Sequence, residues 1–471
     1  MSEESASKRR KTSPGRHAAL RAVMDVLSGR CFVQESLAQA RGGRGLRGRE
    51  AALAREVATG AIRHALTIDH VLSQVAKYDP RRVGTPLRAV LLCAGYQLIW
   101  MDRVPPFAAV NEAVEQARGV AGGRAAGMVN AVLRRLSGAI AERRVAWRPY
   151  DPTQVRTSWD SACAFDRPVL PDREAVGLES YLAAACGERP ERVRQLVERF
   201  GPESAEQILW AWQAVPVTVI QRNPLRINPG VFQQRIREAF GAQVEWTPDA
   251  AYLPSSVPFV ETDLFRDGRI FVQDTTARSA ALLMDARRGE SLLDLCAAPG
   301  GKSVVLAIAM DDRGEIVACD ASPDRILMVR DNVRRLKLTS VRTHLIKTSD
   351  ASEADITRMF DGALVDAPCS NSGVIARRPE ARLGLCAEKL ASLTALQRAL
   401  LSRAAASVRP GGRLVYSTCS IEPEENEQVV EWFVQQQADW SLERCETTLP
   451  HWGPRLSDWR DGGFAALLRR A

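Results

Sequence analysis

At 471 residues, with 45% hydrophobic and 25% charged positions, the chain is too long for one core of ordinary size and too apolar for a disordered segment. Two to four globular domains are expected. The net charge of +8 is unevenly spread: residues 1–150 carry 25 Lys and Arg against 12 Asp and Glu, and the remainder 39 against 44. A basic module joined to a near-neutral or slightly acidic one fits a phosphate-binding arm on a catalytic body, with a solvated Arg-rich helical surface as the equal alternative.

The longest apolar stretch, Leu87 to Met101, contains Arg88 and falls short of a bilayer span, and the N-terminus opens on Ser2-Glu3-Glu4 and Lys8-Arg9-Arg10-Lys11 without an apolar signal core. A cytoplasmic protein with no membrane partner is expected. The ten cysteines are scattered without a disulfide framework, which favours free thiols, and the five dispersed histidines offer no zinc-ligand spacing, so no metal is expected.

Taken in chain order, residues 1–145 read as a helical bundle. Apolar positions recur at helical spacing in Ala18–Leu27, Arg49–Lys77, Pro86–Met101, Ala108–Arg118 and Met128–Ile140, with glycine breaks at 42–45 and 122–123. Residues 146–180, with Pro149, Pro152, Pro168 and Pro171, read as a linker or draped loop. Residues 181–285 mix helices (Arg189–Phe200, Ala205–Gln213, Val231–Phe240) with extended runs (Val217–Ile220, Ile270–Gln273) and read as a small α/β module. From 286 to 471 short apolar runs alternate with helices: strands Ser291–Cys296, Glu315–Asp320, Val341–Ile346, Gly362–Asp366 and Arg413–Ser417, helices Ser303–Met310, Pro323–Leu336 and Leu390–Val408. That alternation predicts a parallel sheet covered on both faces, with ligands at the carboxyl ends of its strands. No coiled coil or repeat is visible, and a monomer is expected.

Three motifs fall at such strand ends. The turn Leu295-Cys296-Ala297-Ala298-Pro299-Gly300-Gly301-Lys302 is not a nucleoside-triphosphate loop, because the required glycine five positions before Gly301 is Cys296. It is a small-residue turn that lets backbone approach a ligand, followed by Asp320, an acidic residue placed to accept from a ribose diol. A dinucleotide and S-adenosylmethionine both fit. The cysteines of Asp366-Ala367-Pro368-Cys369 and Ser417-Thr418-Cys419-Ser420 decide between them, since hydride transfer needs no thiol whereas methylation at pyrimidine carbon 5 does. That carbon is a poor nucleophile until a thiolate adds to carbon 6; elimination later returns the thiol. One cysteine then forms the bond and the other assists its breakdown, while Asp366 can hydrogen-bond the base and stabilise developing charge. The ordinary alternative for a single cysteine is a buried inert thiol, assigned here to Cys31, Cys93, Cys163, Cys186, Cys386 and Cys445. Glu424 and Glu425 read as carboxylates at a helix N-terminus.

The blocks Leu293-Asp-Leu-Cys-Ala-Ala-Pro-Gly-Gly-Lys302, Val365-Asp-Ala-Pro-Cys-Ser370 and Tyr416-Ser-Thr-Cys-Ser-Ile-Glu-Pro-Glu-Glu-Asn426 resemble the signatures of the Sun-family, RsmB-type RNA cytosine-5 methyltransferases. Val272-Gln273-Asp274 resembles that family's lead-in strand, and Asp102-Arg103-Val104-Pro105 with Ala109-Val110-Asn111-Glu112 resembles its NusB-like RNA-binding domain. The resemblance implies a multidomain fold: an all-α NusB-like bundle (1–145), a linker (146–180), a small RRM-like α/β module (181–285) and a Rossmann-like class I methyltransferase domain (286–471).

It also implies S-adenosylmethionine held by Cys296, Ala297, Ala298, Pro299, Gly300, Gly301 and Lys302, its ribose on Asp320 and its adenine near Asp350. Asp366 would lie between cofactor and cytosine, Cys419 would be the nucleophile and Cys369 would assist product release. The implied partner is RNA, small-subunit ribosomal RNA first and transfer RNA second. A non-catalytic NusB-like RNA-binding or antitermination factor and, more distantly, a dinucleotide oxidoreductase are the competing classes. Two departures from the family pattern are visible: Thr348-Ser349-Asp350 replaces a Gly-Asp pair, and Arg382-Leu383 stands where many members have Trp, a change expected to alter packing near the site.

Overall fold

The computed structural model describes residues 13–41, 46–346 and 358–471. The chain divides into two compact units: one runs to Ala214 and takes in Arg378–Leu383, the other comprises Val215–Arg377 and Gly384–Ala471.

The first unit is built on helices Pro14–Leu27, Val33–Arg41, Gly48–Arg63, Ala65–Val75, Thr85–Trp100 and Pro106–Ala139. Ser13 caps the first, its hydroxyl accepting from the Arg16 amide, with Pro14 in the first turn where no amide is needed. Thr85–Trp100 is buried almost all round, from Ala89 through Ile99, as expected of a central bundle helix. Gly60 lets it approach, since any side chain there would collide with the Tyr96 ring.

Two expected features shift. The single stretch Arg49–Lys77 is two helices meeting at His64 (φ −104°, ψ 14°), whose ring stacks on Trp100 at 4.0 Å between centroids. The glycine break at 122–123 is real but local: Gly122 alone leaves the helical region inside Pro106–Ala139.

Residues 146–180 are not a linker. Strands β1 (Ile140–Ala146), β2 (Gln154–Arg156) and β3 (Ser161–Phe165) form an antiparallel sheet in the order β1-β3-β2, and Val155, Cys163 and Phe165 join the bundle's apolar core. Strands of three and five residues are too short to show a period among prolines. Helices Leu178–Ala185, Pro190–Phe200 and Pro202–Gln213 also belong to this unit, so the division falls at Ala214 and not near residue 180. Arg382 is buried here too. It donates to the carbonyls of Arg63 (3.0 Å) and Gly187 (2.9 Å) and pairs with Glu188 at 3.2 Å, so its departure from the family pattern is a packing feature of the first unit.

The second unit opens with a small α/β body: strands β4 (Thr218–Arg222), β5 (Glu245–Trp246), β6 (Ala250–Leu253) and β7 (Ile270–Val272), all antiparallel in the order β5-β6-β4-β7. Helix Pro229–Phe240 packs on it through Phe232 and Ile236. It precedes a seven-stranded sheet of β8 (Ser291–Asp294), β9 (Glu315–Asp320), β10 (Val341–Leu345), β11 (Phe360–Asp366), β12 (Val408–Thr418), β13 (Trp440–Thr448) and β14 (Gly463–Arg470), ordered β10-β9-β8-β11-β12-β14-β13.

The five expected strands are parallel. β14 runs antiparallel to β12 and β13 antiparallel to β14, and neither was foreseen: β13 exposes most of its residues and so lacks the apolar run that marks a central strand. The carboxyl ends of β8, β9, β11 and β12 sit side by side, which brings together motifs spread over more than a hundred residues. Among the described residues, no helix is long and apolar enough to cross a membrane.

Candidate active site

The first group of residues comes from β8, β9 and the turn between them. Beyond Asp294 the chain makes a tight turn, the Gly300 amide donating to Ala297 O at 2.6 Å and the Ala297 amide to Cys319 O at 2.8 Å. Gly300 sits at φ +101°, a left-handed conformation that favours glycine, and helix Gly301–Ala309 starts immediately after it. Asp320, the last residue of β9, is buried. Its carboxylate accepts from the amides of Ser322 (3.0 Å) and Ala298 (3.3 Å) and pairs with Arg325 at 3.5 Å. Arg325 in turn donates to Ala298 O at 2.8 Å, tying the turn to the strand that carries the acid.

Asp294 accepts from Ser303 Oγ at 2.5 Å, and its other oxygen has no hydrogen-bond partner. Burial pushes its carboxyl up to about 7. Cys296 is desolvated and lies near Asp294, both of which push its thiol well above the usual range, so it fits packing and not nucleophilic work. Asp350 lies outside the described residues.

Lys302 faces the other way. Its ammonium pairs with Asp366 Oδ2 at 2.7 Å, and Asp366 Oδ1 accepts from Ser417 Oγ at 2.9 Å. Burial alone would lower the lysine, but Asp366 more than offsets this and holds it above its ordinary value, with Cys419 adding to the effect.

The two thiols meet: Cys369 Sγ lies 3.2 Å from Cys419 Sγ, and Cys419 also reaches Asn371 Oδ1 at 3.3 Å. Asn371 adopts a left-handed φ of 63° and donates back to Cys369 O at 3.1 Å. Cys369 is pushed well above the usual thiol range, first by its hydrogen bond with Cys419 and then by burial.

Both cysteine loops are braced by groups that sequence reasoning assigned elsewhere or missed. Glu425 stands just before helix Glu427–Gln436, as read, but is also fully buried: it accepts from the Ser370 amide (2.8 Å), Ser370 Oγ (2.5 Å) and Gln397 Nε2 (3.1 Å). Asn426 accepts from Thr418 Oγ1 at 2.6 Å and donates to Ser420 O at 3.0 Å, closing the turn around Cys419. Ser420 Oγ lies within 3.2 Å of Ser370 Oγ and 3.0 Å of Ser372 Oγ. The polar run Ser417–Asn426 was the available signal, since buried serines and asparagines need partners.

A cavity of about 770 Å³ opens beside Cys419, lined by that residue, Lys302, helix Thr275–Leu282 and residues of β13 and β14. At its edge Arg377 pairs with Asp461 (2.5 Å) and Asp274 (3.5 Å). Burial first and Asp461 second push Asp274 up to about 7. Among the described residues no cluster of three or more His, Cys, Asp or Glu side chains could hold a metal ion.

A model described as 16S rRNA methyltransferase RsmB/F matches residues 281–452, and a NusB family model matches residues 13–138. The putative methyltransferase Rv1407 of Mycobacterium tuberculosis (strain ATCC 25618 / H37Rv) is 31% identical over 421 residues, covering 88% of this chain and 85% of its own. The probable ribosomal RNA small subunit methyltransferase B of Bacillus subtilis (strain 168) is 28% identical over 387 residues, covering 82% and 80%. The crystal structure of PH0851 shares the fold, with a TM-score of 0.72 at 22% identity over 97% of this chain and 99% of that one. A methyltransferase homolog protein from Pyrococcus horikoshii matches at 26% identity and a TM-score of 0.51, covering 62% of this chain and 98% of its own.

Proposed function

Because the chain belongs to the 16S rRNA methyltransferase RsmB/F family, we propose that it methylates carbon 5 of a cytosine in RNA, with S-adenosylmethionine as donor and small-subunit ribosomal RNA as substrate. The observation that carries the reading is the pair of thiols 3.2 Å apart, set beside a lysine–aspartate pair at the ends of adjacent strands.

The turn Cys296–Lys302 fits the donor: Gly300 holds a backbone that a side chain would strain, Asp320 lies at the neighbouring strand end, and an orphaned buried oxygen of Asp294 awaits a partner. Bound there, S-adenosylmethionine would supply an electrophilic methyl group. The cytosine would lie against Asp366, whose carboxylate, oriented by Lys302 and Ser417, accepts from the base's amino group or protonated ring nitrogen. Cys419 would add to carbon 6, and the neutral Cys369 thiol beside it can donate a hydrogen bond to the Cys419 thiolate. After methylation Cys369, once its own proton has passed to solvent, would take the carbon-5 proton; the electron pair of that bond re-forms the carbon 5–carbon 6 double bond as the Cys419–carbon 6 bond breaks and Cys419 leaves as thiolate. The basic N-terminal bundle would hold RNA through its phosphates.

The substrate reading rests on the relatives named as small subunit methyltransferases. Mapping 5-methylcytosine in 16S ribosomal RNA from cells with and without the gene tests it. One cytosine should lose its mark when the gene is deleted and regain it on complementation. An unchanged 16S map together with a lost mark in transfer RNA would transfer the reading to that substrate.

A further inference from the structure

Resting on the reading just given, we propose that the cavity beside Cys419 seats a second nucleotide adjacent to the target cytosine, with its phosphate held by Arg444 and Arg460. The cavity's lining includes Cys419 and Lys302 but neither the glycines of the cofactor turn nor Asp320, which places it on the side from which the base enters. At about 770 Å³ it has the capacity of sites that enclose drug-sized molecules, and one pyrimidine ring against Cys419 leaves much of it open.

Charge says what fills the remainder. Three cations line the cavity: Lys302, Arg444 and Arg460. Lys302 is committed to Asp366 at 2.7 Å, so a phosphate entering with the base must be met by the arginines. Both are exposed. Arg444 pairs with the exposed Glu446 at 3.2 Å; such a surface pair is worth little and yields to a bidentate guanidinium–phosphate contact. The carboxylates of Asp274 and Asp461 share the one Arg377 guanidinium, and burial with the neighbouring Asp461 pushes Asp274 up to about 7, so the negative charge left at that edge is small beside the two arginines.

Shape agrees with charge. Gly463, at the start of β14, brings the wall against Thr418 O: a Cβ there would lie 2.8 Å from that oxygen and 3.3 Å from Thr276 Cγ2. A side chain at this position would have to push the loop carrying Cys419 away from helix Thr275–Leu282. Thr448 and Glu446 add hydrogen-bonding groups on the same wall, of the kind that read the edge of an unstacked base in single-stranded RNA.

The test measures methyl transfer from labelled S-adenosylmethionine to a 16S ribosomal RNA transcript by the full chain and by Arg444→Gln/Arg460→Gln. The double variant should raise KM for RNA about tenfold or more and flatten the salt dependence of RNA affinity, by roughly 0.7 in log–log slope for one phosphate contact to a single strand. S-adenosylmethionine affinity by calorimetry should be unchanged, reporting an intact fold. Arg330→Gln/Arg334→Gln, removing the same charge from the exposed face of helix Pro323–Leu336, should leave KM within twofold. An equal rise in that control would make the effect general electrostatics and overturn the subsite. Transfer by the wild type with no change in the double variant would overturn the subsite alone. No transfer by the wild type to 16S or transfer RNA would overturn the methyltransferase reading, and the subsite with it.

Discussion

The turn Cys296–Lys302 and the thiol loops lie at the ends of neighbouring strands and are built in opposite ways. Cys296–Lys302 is shaped by backbone: a left-handed glycine, two main-chain hydrogen bonds, and Asp320 tied back to Ala298. The loops of Cys369 and Cys419 are shaped by buried side chains, with Glu425, Asn426, Gln397 and three serines bonded to one another and to main chain. A turn that must press backbone against a ligand gains from having few side chains. On the proposed reading, two thiols that stay in contact through a reaction gain from a network in which each partner fixes the next.

If the division of labour is real, substitutions on the two sides separate cofactor binding from chemistry. On the thiol side, Glu425→Gln keeps the shape of the side chain but weakens the acceptor of the Ser370 amide and hydroxyl. A small displacement of the Cys369 loop should lower methyl transfer about a hundredfold, with S-adenosylmethionine affinity within twofold. Equal losses of affinity and turnover would erase the distinction.

On the cofactor side, Asp320→Ala should weaken S-adenosylmethionine binding by about ten- to a hundredfold, corresponding to hydrogen bonds to a charged acceptor worth roughly 1.5–3 kcal/mol, with the fold retained. Calorimetry giving an unchanged dissociation constant would move the ribose site elsewhere.

The smallest expected effect concerns pH. Burial raises Asp294 to about 7, so the folded chain keeps a proton that the unfolded chain releases from about pH 4. Its contribution to stability is therefore fully present below about pH 4, declines as pH rises to 7 and is level above. Asp294→Asn should flatten that decline, which is on the order of a few kcal/mol at most. Denaturation midpoints at pH 5 and pH 8 that change by the same amount in wild type and variant would contradict it.

These contrasts also explain what could be read from sequence. The turn and both cysteines were legible because strand ends in a parallel sheet concentrate function, and each motif followed an apolar run. Glu425 does precede a helix, but its bracing of Ser370 and Gln397 was not legible because sequence spacing does not say that its loop turns inward. β13 and β14 escaped because the outer strand is polar along most of its length, and β1–β3 because short strands among prolines have no period. The division at Ala214 was hidden for another reason: an amphipathic helix such as Pro190–Phe200 reads the same whichever unit receives its apolar face.

The central claim is that the adjacent thiols have different tasks, and trapping a covalent protein–RNA adduct tests it most directly. With a 16S ribosomal RNA transcript and S-adenosylmethionine, Cys369→Ala should attack and methylate but release slowly, giving an adduct that survives denaturing electrophoresis. Cys419→Ala should give neither adduct nor product, because carbon 5 is never activated. An adduct from Cys419→Ala and none from Cys369→Ala would reverse the assignment, and undiminished methylation by both variants would contradict covalent catalysis by this pair.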